Sequence, residues 1–592
     1  MSEAAVGTRG RRRGRSAETE TVRPRSEAYR QLHNPFVPQS VFSDDQIQAM
    51  HETALRVLEE LGLKVLLPEA QQLFAGAGAL VDEDSQMVRI GRDIVADALA
   101  SAPRSFEARA GDRARDIRLE TGTLTFVAGS GTPNATDIER GRRPGSLADF
   151  EDLTRLTQSF DVLHMQAPYT EPQDVPIHLR HLQMMRTQLT LSDKFPFVYA
   201  RGRPQVLDSF EMIRRARGLT EAAFESGAHC YTIINTNSPR QLDIPMAQGI
   251  IDFARAGQIS VITPFCLAGA MAPITVAGAI TLQHAEALAG IVLAQTARKG
   301  APIVYGSFSS NVDMKSGAPA FGTPEHFKAT LGSGQLARHL GLPWRGGGGS
   351  AANISDVQAA NETQMALWGA VLAGCTLLVH SAGWLEGGLV FSYEKMITDL
   401  EVLQSVAELC AATPADADAI GFDAIAEVNP GGHFFATAQT MARYRNAFYE
   451  PLVADLSNYG NWTEAGSRPR PSARKAYGAA SWPSSSRRRP PRAPPISWPP
   501  SSSGALRKAV PRRSPDGPFP ARGIPLKPPH PASSGALPWR KPPPSPLLPN
   551  LPLAARPIPS VRSTFRPISS GARRRSARCR TSRSAGSGCR SG

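Results

Sequence analysis

Two hydrophobic periods alternate along residues 121–411. Short apolar runs ending in glycine, polar or aromatic residues are separated by stretches in which apolar residues recur at helical spacing. The runs are Thr123–Gly129, Val162–Gln166, Phe195–Ala200, His229–Asn235, Ile259–Cys266, Pro302–Phe308, Pro343–Ser350 and Thr376–Glu386. The intervening helices are signalled at both ends. Ser146, Thr323, Ser392 and a Ser355-Asp-Val-Gln358 capping box stand at starts, and Gly341 and Gly374 at stops. Helices are expected at 177–191, 204–217 and 274–297, and over 392–411 with Met396, Leu400, Leu403 and Val406 inward. Strand–helix alternation predicts a parallel sheet. Eight repeats predict closure into an α/β (β/α)8 TIM barrel, with an open doubly wound sheet as the alternative. In such a barrel the carboxyl ends of the strands bind the ligand.

The flanks read differently. Residues 1–33 are basic and polar and are expected to be disordered. Residues 34–120 form an N-terminal α+β cap. It opens with a helix from Ser43 to Leu61 whose inner face is Ile47, Met50, Ala54, Val57, Leu58 and Leu61. The barrel then occupies 121–466, with Gly432 to Trp462 expected to be largely helical. From 467 to 592, Pro, Arg and Ser dominate and periodicity is lost, so a disordered tail is expected. Its composition is that of GC-rich codons read out of frame, which makes it a frameshift product. A polybasic binding tail is the alternative.

Charge follows the same division. The chain of 592 residues has a net charge of +14. Residues 466–592 hold 26 Lys and Arg beside one acid, Asp516, leaving 40 basic and 51 acidic residues in 1–465. The globular part is therefore acidic, and nucleic-acid binding by it is not expected. The six cysteines are scattered with no C-x-x-C pair, which fits a reducing compartment. No apolar segment follows Arg11-Arg12-Arg13, and the apolar stretch Ile274–Ala297 contains Gln283, His284 and Glu286. A cytoplasmic protein with a buried helix, and no membrane association, is the expectation.

Several motifs are more specific. His284-Ala-Glu286, Phe321-Gly-Thr-Pro-Glu325, Gly346 to Ser350 and His380-Ser-Ala-Gly-Trp-Leu-Glu-Gly-Gly388 occur together with Ile262–Pro273 and Asn458–Gly466. This combination resembles the trimethylamine methyltransferase family, corrinoid-dependent enzymes with a (β/α)8 fold. The likeness runs from about residue 35 to 466. Archaeal trimethylamine enzymes carry pyrrolysine near the barrel mouth. Here the loop after the glycine run reads Ser350-Ala-Ala-Asn-Ile-Ser355. The chain thus resembles the non-pyrrolysine branch, in which glycine betaine and related quaternary amines are substrates. Ala352 or Asn353 stands nearest the pyrrolysine position. The resemblance implies that a separate corrinoid protein docks over the barrel and accepts the methyl group. No D-x-H-x-x-G cobalamin motif is present, so no cofactor is expected to be bound directly.

The chemistry selects candidate residues. A quaternary nitrogen leaves as a neutral tertiary amine, so neither a general acid nor a metal is required, and no catalytic residue is assigned. The site must hold a cation, aim one methyl outward and exclude water. Aromatic faces hold cations, each contributing roughly 0.5–2 kcal/mol. Phe265, Phe308, Trp344 and Trp384 lie at strand ends, with His380 beside Trp384. Glu386 is a candidate to balance the ammonium. Arg345 or Arg201 is a candidate for a betaine carboxylate. Asn235 and Asn237 either orient substrate or cap a turn. The glycine run is expected to allow close approach of substrate or corrinoid. Three alternatives stay open: a trimethylamine enzyme, a zinc-dependent methyltransferase drawing on Cys266, His229, Cys230 and His380, and a barrel that binds betaine without catalysis. Homo-oligomerisation is also open.

Overall fold

The structure, a computed structural model, describes residues 29–467. The expectations for 1–28 and 468–592 lie outside the described residues. Six short parallel strands carry the main sheet: β1 (Thr123–Phe126), β2 (Tyr231–Ile234), β3 (Ile259–Ile262), β4 (Ile303–Gly306), β5 (Trp344–Gly347) and β6 (Leu377–Val379). Their order is β1–β6–β5–β4–β3–β2, with Leu32–His33 antiparallel on the outer edge of β1. Every residue of β1, β3, β4, β5 and β6 is buried. Such runs need cover on both faces, which explains why they are separated by helices.

The architecture is mixed α/β. The regular ladder runs through six strands, where the sequence predicts eight. The two missing ones, 162–166 and 195–200, make only single bridges, Met165 to Phe195 and Phe197 to Tyr231. Two residues interrupt them. Pro196 has no N–H to donate. The His164 ring Nδ1 takes the Phe126 N–H at 3.1 Å, a donor a ladder carbonyl would otherwise accept. Backbone bonds still cross both segments: His164 N to Phe126 O (3.0 Å), Gln166 N to Phe195 O (2.9 Å) and Val198 N to Tyr231 O (2.9 Å).

Five helices matter for the site: α1 (Asp44–Arg56), α2 (Val276–Ala297), α3 (Pro324–Leu340), α4 (Val357–Leu372) and α5 (Tyr393–Leu409). Thr323 caps α3 and Gly341 closes it at φ 66°. Ser392 caps α5, and Met396, Leu400, Leu403 and Val406 face inward. The cap of α4 differs from expectation. Asp356, not Ser355, accepts from the N–H three residues on, Ala359. α2 is long and apolar enough to cross a membrane, but it is buried within the protein, with Gln283, His284 and Glu286 inside.

The cap shares one hydrophobic core with the sheet: Ile47, Leu58 and Phe74 belong to the same cluster as Ile259, Leu288 and Leu377. Ser43 and Gln46 form the capping box of α1. Beyond Arg56 the chain widens into a π-helical turn, Val57–Leu61, which rotates Leu61 off the buried face and leaves it 51% exposed. His51 on α1 meets His284 on α2 at 2.9 Å, and His284 meets the Tyr305 hydroxyl at 3.0 Å.

Two flanking expectations are corrected. Order begins before residue 33: Tyr29 donates to Arg115 O at 3.0 Å and Arg30 pairs with Glu408 at 2.8 Å. Gly432 to Trp462 is not largely helical. It holds only the short helices Ala438–Arg443 and Tyr459–Glu464. Phe435, Phe448, Leu456 and Tyr459 are exposed there. Short helices are marginal without an apolar face to pack against.

Candidate functional site

Five rings from three strand ends converge. Phe265 follows β3, Phe308 follows β4, Phe321 precedes α3, and His380 and Trp384 follow β6. Phe308 is central. Its centroid lies 5.0 Å from Phe321, 5.0 Å from His380, 5.5 Å from Phe265 and 5.6 Å from Trp384. His380 stacks on Trp384 at 4.6 Å. The indole N–H of Trp384 donates to Ser130 O at 3.3 Å.

The neighbouring glycines make room for these rings. A Cβ on Gly347 would lie 2.5 Å from Phe308, and one on Gly349, at φ +102°, would lie 2.3 Å from Trp384. The expected close approach through the glycine run is therefore made here by the aromatic rings themselves.

Arg345 lies beneath Phe308. Alternation along β5 sends Trp344 and Gly346 to one face and Arg345 and Gly347 to the other. The Arg345 guanidinium sits 4.7 Å from the Phe308 centroid, and its Nη1 donates to Ser307 O at 3.0 Å. It is 1% exposed, and its Nε has no partner among the described residues. Burial pulls this arginine down to about 10, with Cys375 and Tyr231 opposing the shift. Isolating such a charge costs on the order of several kcal/mol. His380 Nδ1 is likewise buried without a partner, and burial together with the Arg345 charge holds the imidazole well below its usual range. It is neutral at physiological pH.

The remaining sequence candidates go elsewhere. Trp344 points towards the helices and donates from Nε1 to Ser307 Oγ at 3.0 Å, away from the ring cluster. Glu386 is not available to an ammonium. Arg142 grips it with two bonds, Nε to Oε1 at 3.0 Å and Nη2 to Oε2 at 3.1 Å. Asn353 is exposed in the loop before α4. Arg201 pairs with Glu171 at 2.6 Å at the surface. Asn237 exchanges bonds with Asp243 and so caps a turn, and Asn235 binds Thr263 O at 2.8 Å. Cys266 lies beside Ser238 and Glu286, His229 stacks on Phe224, and His380 is among the rings, so the zinc candidates occupy three separate environments.

Sequence reasoning missed Phe321 as a site residue, although it opens a quoted motif. It also missed the supports. Asp399 Oδ2 accepts the Gly383 N–H at 2.8 Å, next to Trp384, and Lys395 Nζ holds Asp399 at 2.8 Å and Thr363 Oγ1 at 2.7 Å. Burial raises the Asp399 carboxyl, and Lys395 opposes that shift. Glu286 braces the loop after β2, accepting from Ser238 Oγ at 2.6 Å and Arg240 N at 2.7 Å. His284 and Glu286 of the quoted motif thus work as internal struts.

Parallel strands followed at their carboxyl ends by an aromatic cluster, packed over a buried arginine of β5, define an α/β protein. Comparison with known proteins narrows the class. The profile described as trimethylamine methyltransferase (MTTB) matches residues 8–479, and the chain belongs to this family of methyltransferase enzymes. It is 33% identical over 427 residues to a glycine betaine methyltransferase of Desulfitobacterium hafniense strain Y51, covering 72% of this chain and 88% of that one. It is 29% identical over 429 residues to a trimethylamine methyltransferase of D. hafniense strain DCB-2, covering 72% and 86%. A trimethylamine methyltransferase of Methanosarcina thermophila is 26% identical over 447 residues, covering 72% and 90%. Among solved structures, the monomethylamine methyltransferase of Methanosarcina barkeri aligns with a TM-score of 0.38 at 10% identity, covering 64% of this chain and 83% of that one.

Proposed function

We propose that this enzyme moves a methyl group from a glycine betaine-like quaternary amine to the corrinoid of a partner protein. The observation that carries the reading is the five-ring cluster at the ends of β3, β4 and β6, in a chain most of which aligns with a glycine betaine methyltransferase. The corrinoid cobalt supplies the nucleophile. The chain's own residues bind the cation, orient one methyl and exclude water. Neutral His380 adds no charge to the cluster, and no acid is needed because the leaving amine is neutral. Phe308, Phe321 and Trp384 pack on one another, so a substrate enters by parting them. Gly383, Gly387 and Gly388, at φ 83°, 61° and 104°, flank Trp384 and supply the left-handed backbone that its loop requires.

We read the bonds through 164–166 and 195–198 as closing the sheet into an eight-segment barrel, with the rings at its mouth. Exposed aliphatics stand in the loops and at the helix starts that follow these strand ends: Ile244, Ile274, Met314, Ile354, Val357 and Leu389. An apolar rim of this kind suits a docked protein.

The test is absorbance of the corrinoid on mixing the enzyme, reduced cobalamin and a panel of methylated amines. Methylation by glycine betaine or a close analogue is expected. Binding without any methyl transfer would favour a betaine-binding barrel instead. Activity with trimethylamine alone would replace the substrate assignment. For docking, the double change Met314→Glu and Val357→Glu is expected to slow transfer to the corrinoid protein about tenfold or more. The rate with free cobalamin should not change. Equal slowing with both acceptors would remove the rim from the docking surface.

A further inference from the structure

Arg345 is a buried cation without an anion. It is 1% exposed, and no carboxylate pairs with it among the described residues. The acids that support the Trp384 loop have other partners, Glu386 with Arg142 and Asp399 with Lys395. Its one side-chain hydrogen bond, to Ser307 O, leaves Nε unpartnered, and Nδ1 of His380, whose ring also meets Phe308, is unpartnered too. Buried charges are normally paired and hydrogen-bonded. A planar guanidinium matches a carboxylate with two parallel bonds.

The same charge affects cations in the opposite sense. An organic cation lodged among Phe265, Phe308 and Trp384 lies a ring's distance from the guanidinium, whose centre is 4.7 Å from Phe308. In a dry site like charges at that range repel strongly. A ligand with a carboxylate cancels the repulsion, whereas one without it does not. Attraction for one class and repulsion of the other together set specificity.

We infer that Arg345 is the specificity-determining residue of this site, and that it restricts substrates to zwitterions carrying a carboxylate beside the quaternary ammonium. This rests on the methyl-transfer reading above. Arg345 acts on the substrate anion and takes no part in breaking the carbon–nitrogen bond.

Calorimetry on the full chain tests it with three ligands. Glycine betaine carries both charges, tetramethylammonium only the cation, and 3,3-dimethylbutanoate only the carboxylate on the same carbon shape. Glycine betaine is expected to bind at least about 100-fold more tightly than tetramethylammonium. In Arg345→Gln that preference should collapse, with glycine betaine weakened about 100-fold and tetramethylammonium no weaker than before. Arg345→Lys, which keeps the charge but loses the fork, should fall between. Wild-type binding of glycine betaine and tetramethylammonium with equal affinity overturns the inference while leaving the methyl-transfer reading intact. So does retention of the preference in Arg345→Gln. Binding of 3,3-dimethylbutanoate with no binding of any quaternary amine supports the anion role of Arg345 but overturns the methyl-transfer reading. Binding of none of the three overturns both. If Arg345→Gln does not fold, the wild-type ligand series decides alone.

Discussion

Trp384→Ala is expected to lower methyl transfer at least about 100-fold, because a reacting group displaced by about 1 Å already costs that much. Trp384 stacks on His380 at 4.6 Å and meets Phe308 and Phe321 edge-on at 5.6 Å and 5.2 Å. Removing it deletes one aromatic face and lets the other rings collapse into the gap. The same change should cost about 3–5 kcal/mol of stability, the usual range for truncating a buried aromatic. Thermal melting beside the corrinoid assay separates the two effects. Trp384→Phe keeps an aromatic face and should recover most of the stability and part of the rate. If Trp384→Ala transfers methyl groups as fast as the parent at a temperature where both are folded, the cluster is not the cation site.

Lys395→Met is expected to cost about 3–5 kcal/mol of stability by denaturant unfolding. Lys395 and Asp399 are 1% and 5% exposed, and each is the other's counter-ion. Removing the ammonium leaves Asp399 buried without it, held only by the Gly383 N–H. The double change Lys395→Met, Asp399→Leu removes both charges and should recover much of the loss, since replacing a whole buried pair with apolar groups is often neutral. Its Gly383 N–H would still be orphaned, so methyl transfer should stay below that of the parent. A single change no worse than the double one would show that this pair does not hold the loop.

Local signals in the sequence were reliable where local physics decides. The caps at Ser146, Thr323 and Ser392 and the stop at Gly341 stand where side-chain oxygens and a left-handed glycine satisfy helix ends. The inward face of α5 followed from spacing alone. Phe265, Phe308, His380 and Trp384 were legible as candidates because they follow apolar runs that end in polar and glycine residues. Their convergence was not, since four separate segments supply the rings. Trp344 misled because a one-residue step along a strand reverses the face, and register is a property of the whole sheet. Glu386 misled because its partner Arg142 is 244 residues away.

By itself, the sequence determined the succession of elements, the composition break near residue 467, the division of charge and the family, each carried by neighbouring residues or by motif identity. Only the tertiary structure decided that Val162–Gln166 and Phe195–Ala200 are irregular, because a His164 ring and Pro196 take positions in the hydrogen-bond ladder. It alone decided that Glu386 is neutralised and Arg345 is not. The physical reason is range. Caps and periodicity act over one or two helical turns, whereas counter-ions and ring contacts are chosen by whichever segments the fold brings together, and those are far apart in the chain.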